Sequence, residues 1–208
     1  MRIGVYTGSF NPIHHAHLRV VEIAREMLNL DVVFIEACNN HYDKKELARV
    51  EDRVEMIEIA VSNVAGVCVG EYEASRGNYQ PYTIETLDYY RGSYPYAEIF
   101  YICGGDVMEG ISEFHKAKKL FKNYRVICVF RKGCNVLDAV DVVSEKFDRI
   151  KGASSVQGVI GEDYSSTAIR DLVRGGREIR WLVPDGVREY ILDNGIYKME
   201  RDNERFQG

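Results

Sequence analysis

No apolar run in this sequence approaches the roughly 18 residues that a membrane-spanning helix requires, and its five cysteines include no CxxC pair. Basic charge is also in short supply. Lys plus Arg number 27 against 32 Asp plus Glu, a net charge of −5, whereas a dedicated nucleic-acid binder carries a basic excess. Neither a GxGxxG nicotinamide fingerprint nor a GxxxxGK[ST] phosphate loop is present, which disfavours those two nucleotide-binding classes. Internal repeats and low-complexity tracts are missing too. What remains is 208 residues, 46% apolar and 28% charged. That is enough apolar content at low net charge to exclude disorder, and enough length for one sizeable core. The opening MRIGVYTGSF reads as a strand rather than a secretory signal. With Cys68, Cys103 and Cys128 inside apolar strand-like runs, free thiols acting as small hydrophobes are expected. The expected setting is a reducing cytoplasm.

Strand-like and helix-like segments alternate along the chain. Arg2 to Thr7, Val32 to Ala37, Gly66 to Gly70, Glu98 to Cys103, Arg125 to Phe130 and Ser155 to Ile160 read as strands. Between them lie helical segments: His15 to Asn29, with a stripe of Leu18, Val21, Ala24 and Leu28; Val50 to Val64, with Val50, Val54, Ile57 and Val61; Thr83 to Arg91; and Val136 to Phe147. Such alternation predicts βαβ crossovers and an α/β fold with a doubly wound, Rossmann-like parallel sheet. A ligand crevice is then expected at the carboxyl ends of the strands. Chemically unusual residues do gather there, at Gly8 to His17, Asn39 to Lys45, Gly104 to Asp106, Arg131 with Lys132, and Asp163 to Arg170.

The segment GSFNPIHHAH, from Gly8 to His17, follows the first strand. Gly8 has no Cβ and lets backbone approach a ligand. His14 and His17 are three apart, so if the helix has begun they share one face of its first turn. Solvated capping residues, a metal site and a phosphate site are the three readings. A helix start attracts anions, and no Glu or Cys cluster accompanies the histidines, so phosphate is favoured. A second cluster, YSSTAIR from Tyr164 to Arg170, places three hydroxyls ahead of a guanidinium. One hydroxyl suffices for a helix cap; Ser165, Ser166, Thr167 and Arg170 together would suit a triphosphate.

GSFNPIHHAH resembles the (T/H)xGH-type motif of the nucleotidyltransferase superfamily. PYTIETL from Pro81 to Leu87, ICGGDV from Ile102 to Val107, YSSTAIR, and WLVPDGVREYILDNGIY from Trp181 to Tyr197 are similar, in that order, to segments of nicotinate or nicotinamide mononucleotide adenylyltransferases. Departures from the motif are Ala16 where Gly is usual, Asn11 where bacterial enzymes often have Asp, and EFHK at Glu113 to Lys116 where Trp is common. The resemblance implies transfer of the adenylyl group of ATP to a pyridine mononucleotide, nicotinate being preferred to nicotinamide. It implies His14, His17 and Arg170 as catalytic residues, and an ATP site of Gly8, Ser9, Phe10, Gly104, Asp106, Arg131, Ser165, Ser166 and Thr167. Asn11, Lys44, Tyr82 and Thr83 would face the mononucleotide, and magnesium would arrive with ATP rather than in a protein metal site. Expected partners are these nucleotides, with no nucleic acid or membrane, the oligomeric state being left open. The implied organisation is a core over residues 1–163, a helical segment over 164–200 completing the ATP site, and a polar tail over 201–208. Trp181 is expected to anchor the carboxyl-terminal segment. A non-catalytic nucleotide-binding protein is the rival from another class, motivated by Ala16.

Overall fold

The computed structural model describes residues 1–39, 46–129, 154–155 and 165–198, with the side chains of Asp106, Glu109, Ser154 and Ser155 excepted. Its strands are β1 (Arg2–Gly8), β2 (Val32–Ala37), β3 (Val67–Gly70), β4 (Glu98–Gly104), β5 (Arg125–Val129) and β6 (Ser154–Ser155). The helices are α1 (His15–Leu28), α2 (Val50–Val61), α3 (Thr83–Ser93), α4 (Gly105–Gly110), α5 (Ala117–Asn123), α6 (Ser166–Arg174) and α7 (Asp185–Asp193). The expected helix from Val136 to Phe147 and most of the strand from Ser155 to Ile160 lie outside the described residues, as does the tail after Lys198.

All described strand pairings are parallel, in the order β3-β2-β1-β4-β5-β6. The order reverses between β1 and β4, and a crevice opens at such a switch point, beyond the carboxyl ends of the strands. Both sheet faces are covered, so the central strands are mostly apolar, with Glu36 on β2 a buried exception. Side chains alternate between the faces: Val33, Ile35, Phe100 and Ile102 pack on one side, with α1, α2, α6 and α7. Ile3, Val5, Ile99 and Tyr101 pack on the other, beneath α3, α4 and α5. Burying one such Val or Ile contributes about 1.5–3 kcal/mol, so the two layers hold the strand ends rigidly.

Helix α1 ends where Asn29 adopts a left-handed conformation (φ 48°) and its N–H bonds the Arg25 carbonyl, a conformation Asn tolerates. Its inner face is Ala16, Val20, Val21, Ile23 and Ala24, with Leu18 and Leu28 of the expected stripe only partly buried. The corresponding stripe on α2 is corrected more sharply. Arg53, Met56, Ile57 and Val61 are buried, while Val50 and Val54 are partly exposed. A hydrogen-bonded arginine thus occupies a place where periodicity counts only apolar residues. Trp181 is also corrected, being 83% exposed. Ile179 and Val183 turn inward on either side of it and anchor the segment. Cys68 lies on edge strand β3 and is exposed, unlike Cys103 and Cys128.

Candidate active site

A cleft of about 400 Å³ opens beyond the ends of β1, β4 and β5, within the range of pockets that enclose small ligands. Thr7, Gly8, Ser9, Phe10, Asn11 and His17 line it from the β1–α1 side, and Gly104 and Val107 from β4–α4. Ser165, Ser166, Thr167 and Arg170 close it from the start of α6. The two sequence clusters, some 150 residues apart, therefore share one cavity. Two contacts bring them together. The Ser166 hydroxyl donates to the Pro12 carbonyl (3.0 Å), and Arg170 donates to the Asn11 carbonyl (3.0 Å).

The histidines divide their places. Helix α1 begins at His15, so His14 is its N-cap and not part of the first turn. The expected shared helix face is corrected to a stack, with ring centroids 3.6 Å apart and planes at 16°. His14 is 0% exposed, and its Nδ1 accepts from the His17 N–H at 3.4 Å. His17 alone of the pair reaches the cleft lining. The Phe10 ring meets His17 edge-on at 5.0 Å and Tyr6 at 5.1 Å. That ring folds back over Gly8, where any Cβ would lie 3.0 Å from it; glycine makes room for the aromatic support under the imidazole.

At α6, Ser165 is the N-cap, its hydroxyl accepting from the Ala168 N–H at 3.2 Å. Ser166 and Thr167 open the helix, and Arg170 donates to the Thr167 hydroxyl (3.3 Å). N–H groups at this end, together with the guanidinium, make the wall favourable to anions.

Asn11 is a junction. Its amide donates to the Glu46 carbonyl (2.9 Å), while its Oδ1 accepts from the Ala48 N–H (3.0 Å) and the Tyr197 hydroxyl (2.8 Å). Expected on the mononucleotide, this side chain instead ties the β1–α1 loop to residues 46–48 and to the carboxyl-terminal segment. Burial pushes the Tyr197 hydroxyl pKa up, against the pull of the Arg170 and Arg53 charges.

Tyr82 and Thr83, at the start of α3, do not line this cavity. Thr83 is joined to it through Tyr101, which hydrogen-bonds both Thr83 and Thr7. Tyr82 is half exposed and stacks on His115, ring centroids 4.2 Å apart, a pairing for which spacing along the chain gives no signal. Asp106 lies in the first turn of α4, its side chain not described. Lys44 and Arg131 lie outside the described residues, as do Lys45, Lys132 and His41.

Sequence reasoning also missed two buried carboxyls beside α3. Glu36 accepts from the Tyr90 hydroxyl (2.6 Å) and from the N–H groups of Tyr72 and Glu73. Glu73 accepts from Thr86 (2.8 Å) and Gln80 (2.9 Å). Burial pushes the Glu73 carboxyl up to about 7, with the Glu36 charge adding and its two donors opposing.

A cytidylyltransferase-like family profile matches residues 5–172. A relative from Geobacter metallireducens, named "Probable nicotinate-nucleotide adenylyltransferase", is 34% identical over 97% of this chain and 100% of its own length. The chain belongs to that family. A Streptococcus pyogenes member with the same name is 30% identical, covering 95% of this chain and 89% of its own. The adenylyltransferase fold itself is seen in the Plasmodium falciparum nicotinic acid mononucleotide adenylyltransferase complexed with NaAD. That structure superposes with a TM-score of 0.76 at 18% identity, covering 94% of this chain and 97% of its own.

Proposed function

We propose that this adenylyltransferase joins ATP and nicotinate mononucleotide, releasing pyrophosphate and forming deamido-NAD. The observation that carries this reading is the single cleft, with the His17 imidazole on one side and the hydroxyl- and arginine-bearing start of α6 on the other. The family membership supports the choice of acceptor.

The chemistry asks little of a base. The mononucleotide 5′-phosphate is an anion near neutral pH, and one of its oxygens forms the new bond to the α-phosphorus of ATP. The bond from that phosphorus to the α,β-bridging oxygen breaks, and the electron pair leaves with pyrophosphate. Catalysis rests on holding two polyanions in line and offsetting charge on the five-coordinate phosphorus. His17 donates a hydrogen bond to the reacting phosphates. His14 holds that ring in place from behind. Ser166, Thr167 and Arg170 receive the leaving pyrophosphate, while Thr83 and Tyr82 stand on the acceptor side.

Nucleotidyltransferases use a divalent cation with ATP, which neutralises phosphate charge when bound. Among the described residues no group of three His, Cys, Asp or Glu could hold a metal ion, and the stacked rings of His14 and His17 do not converge on a point. We take magnesium to enter on the nucleotide.

Initial rates on nicotinate and nicotinamide mononucleotides, with ATP and magnesium, test the assignment when product mass is read alongside. Deamido-NAD formed at the higher kcat/KM is expected. No dinucleotide from either acceptor would sink the enzymatic reading, and a faster amide reaction would reverse the substrate choice.

A further inference from the structure

Arg53 sits on the inner face of α2 with 0% exposure. Its Nε donates to the Ala48 carbonyl (3.0 Å), Nη1 to the carbonyls of Ser9 (2.8 Å) and Cys38 (2.7 Å), and Nη2 to that of Asn39 (2.9 Å). Among the described residues, no carboxylate forms an ion pair with it. A fully buried charge is sustained only when its hydrogen-bonding groups are met. Here four main-chain carbonyls engage all three of its nitrogens.

Those four carbonyls belong to three segments, the first of which lines the cleft. Ser9 belongs to the β1–α1 loop and itself lines the cavity. Cys38 and Asn39 lead away from β2, and Ala48 approaches α2. Asn39 extends the connection, its amide donating to the Gly77 carbonyl ahead of α3. The β1–β2 ladder ends in the Cys38 N–H bond to the Gly8 carbonyl, and Asn11 ties the first segment to the third. The planar guanidinium fork bonds all three segments at once and is a common template for their spacing. A lysine ammonium is a single point of donors and cannot span the same four acceptors.

We propose that Arg53 is a positioning residue for adenylyl transfer. It touches neither substrate and acts through Ser9, Asn39 and Ala48, setting the phosphate-binding β1–α1 loop against the segments that flank it. This rests on the site assigned above. Displacing a reacting group by about 1 Å can cost on the order of 10²-fold in rate, so the effect belongs mainly in kcat.

The test compares Arg53→Lys and Arg53→Gln in the full chain with Val61→Ala. That control removes buried apolar atoms from the same helix without touching the loops. Folded fraction is measured by circular dichroism at the assay temperature, and kcat and KM for ATP and nicotinate mononucleotide are referred to folded protein. The lysine variant is expected to lose at least tenfold in kcat with each KM within threefold of wild type, while Val61→Ala keeps its kcat. Unchanged kcat in the lysine variant, or a change confined to KM, overturns the proposal. Failure of both Arg53 variants to fold overturns it as well, because the residue is then structural only. His17→Ala in the same assay separates the two claims: a wild-type rate there sinks the site, whereas a wild-type rate in the lysine variant sinks only the role of Arg53.

Discussion

Replacing Glu73 by Gln should change how stability depends on pH, in a direction opposite to that of most carboxylates. Glu73 is 2% exposed, and it shares a buried pocket with Glu36, Tyr101 standing nearby. Glu36 accepts three hydrogen bonds, one from Tyr90 and two from backbone N–H groups, so it is the member better able to hold negative charge. Glu73 keeps the proton, its pKa raised from 4.5 to about 7 chiefly by burial. In the unfolded chain the same carboxyl ionises near 4.5. Between these values the folded state binds a proton that the unfolded state has released. Stability from this group is therefore fully present below pH 4.5 and is lost as pH rises through about 7. At about 1.36 kcal/mol per unit, the shift amounts to about 3 kcal/mol, shared with the coupled Glu36. Glutamine mimics the protonated acid and accepts from Gln80 or Thr86 without a charge to bury. Urea denaturation of both proteins at pH 5 and pH 8 reads the effect, other titrating groups cancelling in the difference. The variant should gain about 3 kcal/mol on wild type between the two pH values. An equal difference at both would refute the assignment of a raised pKa to this carboxyl.

His17→Ala should lower kcat by about 10²-fold, as for loss of one transition-state donor, with the circular dichroism spectrum preserved; a pyrophosphate-release rate equal to wild type removes the imidazole from the reaction. Arg170→Ala should cut kcat/KM for ATP by at least about tenfold, the scale of one lost charge-assisted hydrogen bond to phosphate, and unaltered ATP kinetics would place the guanidinium outside the triphosphate path. In the carboxyl-terminal segment, Trp181→Ala should change stability by no more than about 0.5 kcal/mol, whereas Val183→Ala, at a fully buried position, should cost about 2 kcal/mol. Thermal melts of the two variants check this, and the reverse ranking would contradict the burial described.

The sheet was legible because buried parallel strands leave an unambiguous trace. The run from Val32 to Ala37 is recovered residue for residue, and the starts of β1, β4 and β5 match the expected ones. The crevice could be located for the same reason, since the carboxyl ends of those strands are where a doubly wound sheet opens. Short amphipathic pieces were less readable. Helix α5 spans seven residues and buries only Ala117, Leu120 and Phe121, too few turns for a period to emerge. Buried charge leaves no periodic trace at all. Arg53, Glu36 and Glu73 are inside because particular carbonyls, hydroxyls and N–H groups meet them, and such partners are set by tertiary folding. The same limit explains Asn11, whose place in the motif is plain while its three internal partners come from residues 46, 48 and 197.

Ala16 is the departure that most invites a non-catalytic reading, and its position bears on that choice directly. Successive helical residues turn by about 100°, so His15, Ala16 and His17 face three directions at the start of α1. His15 faces solvent, His17 faces the cleft, and Ala16 turns into the core, where it is 2% exposed. Its methyl group belongs to the cluster containing Tyr6, Phe10 and Ile13, and Ala16 is not among the residues that line the cavity. Adding that methyl to a glycine position therefore fills apolar space beneath the loop and leaves the anion-facing surface as glycine would. The aromatic support of His17 by Phe10 is intact with alanine in place. The one oddity that argued against catalysis thus acts on packing, and the case for a silent nucleotide binder loses its physical reason.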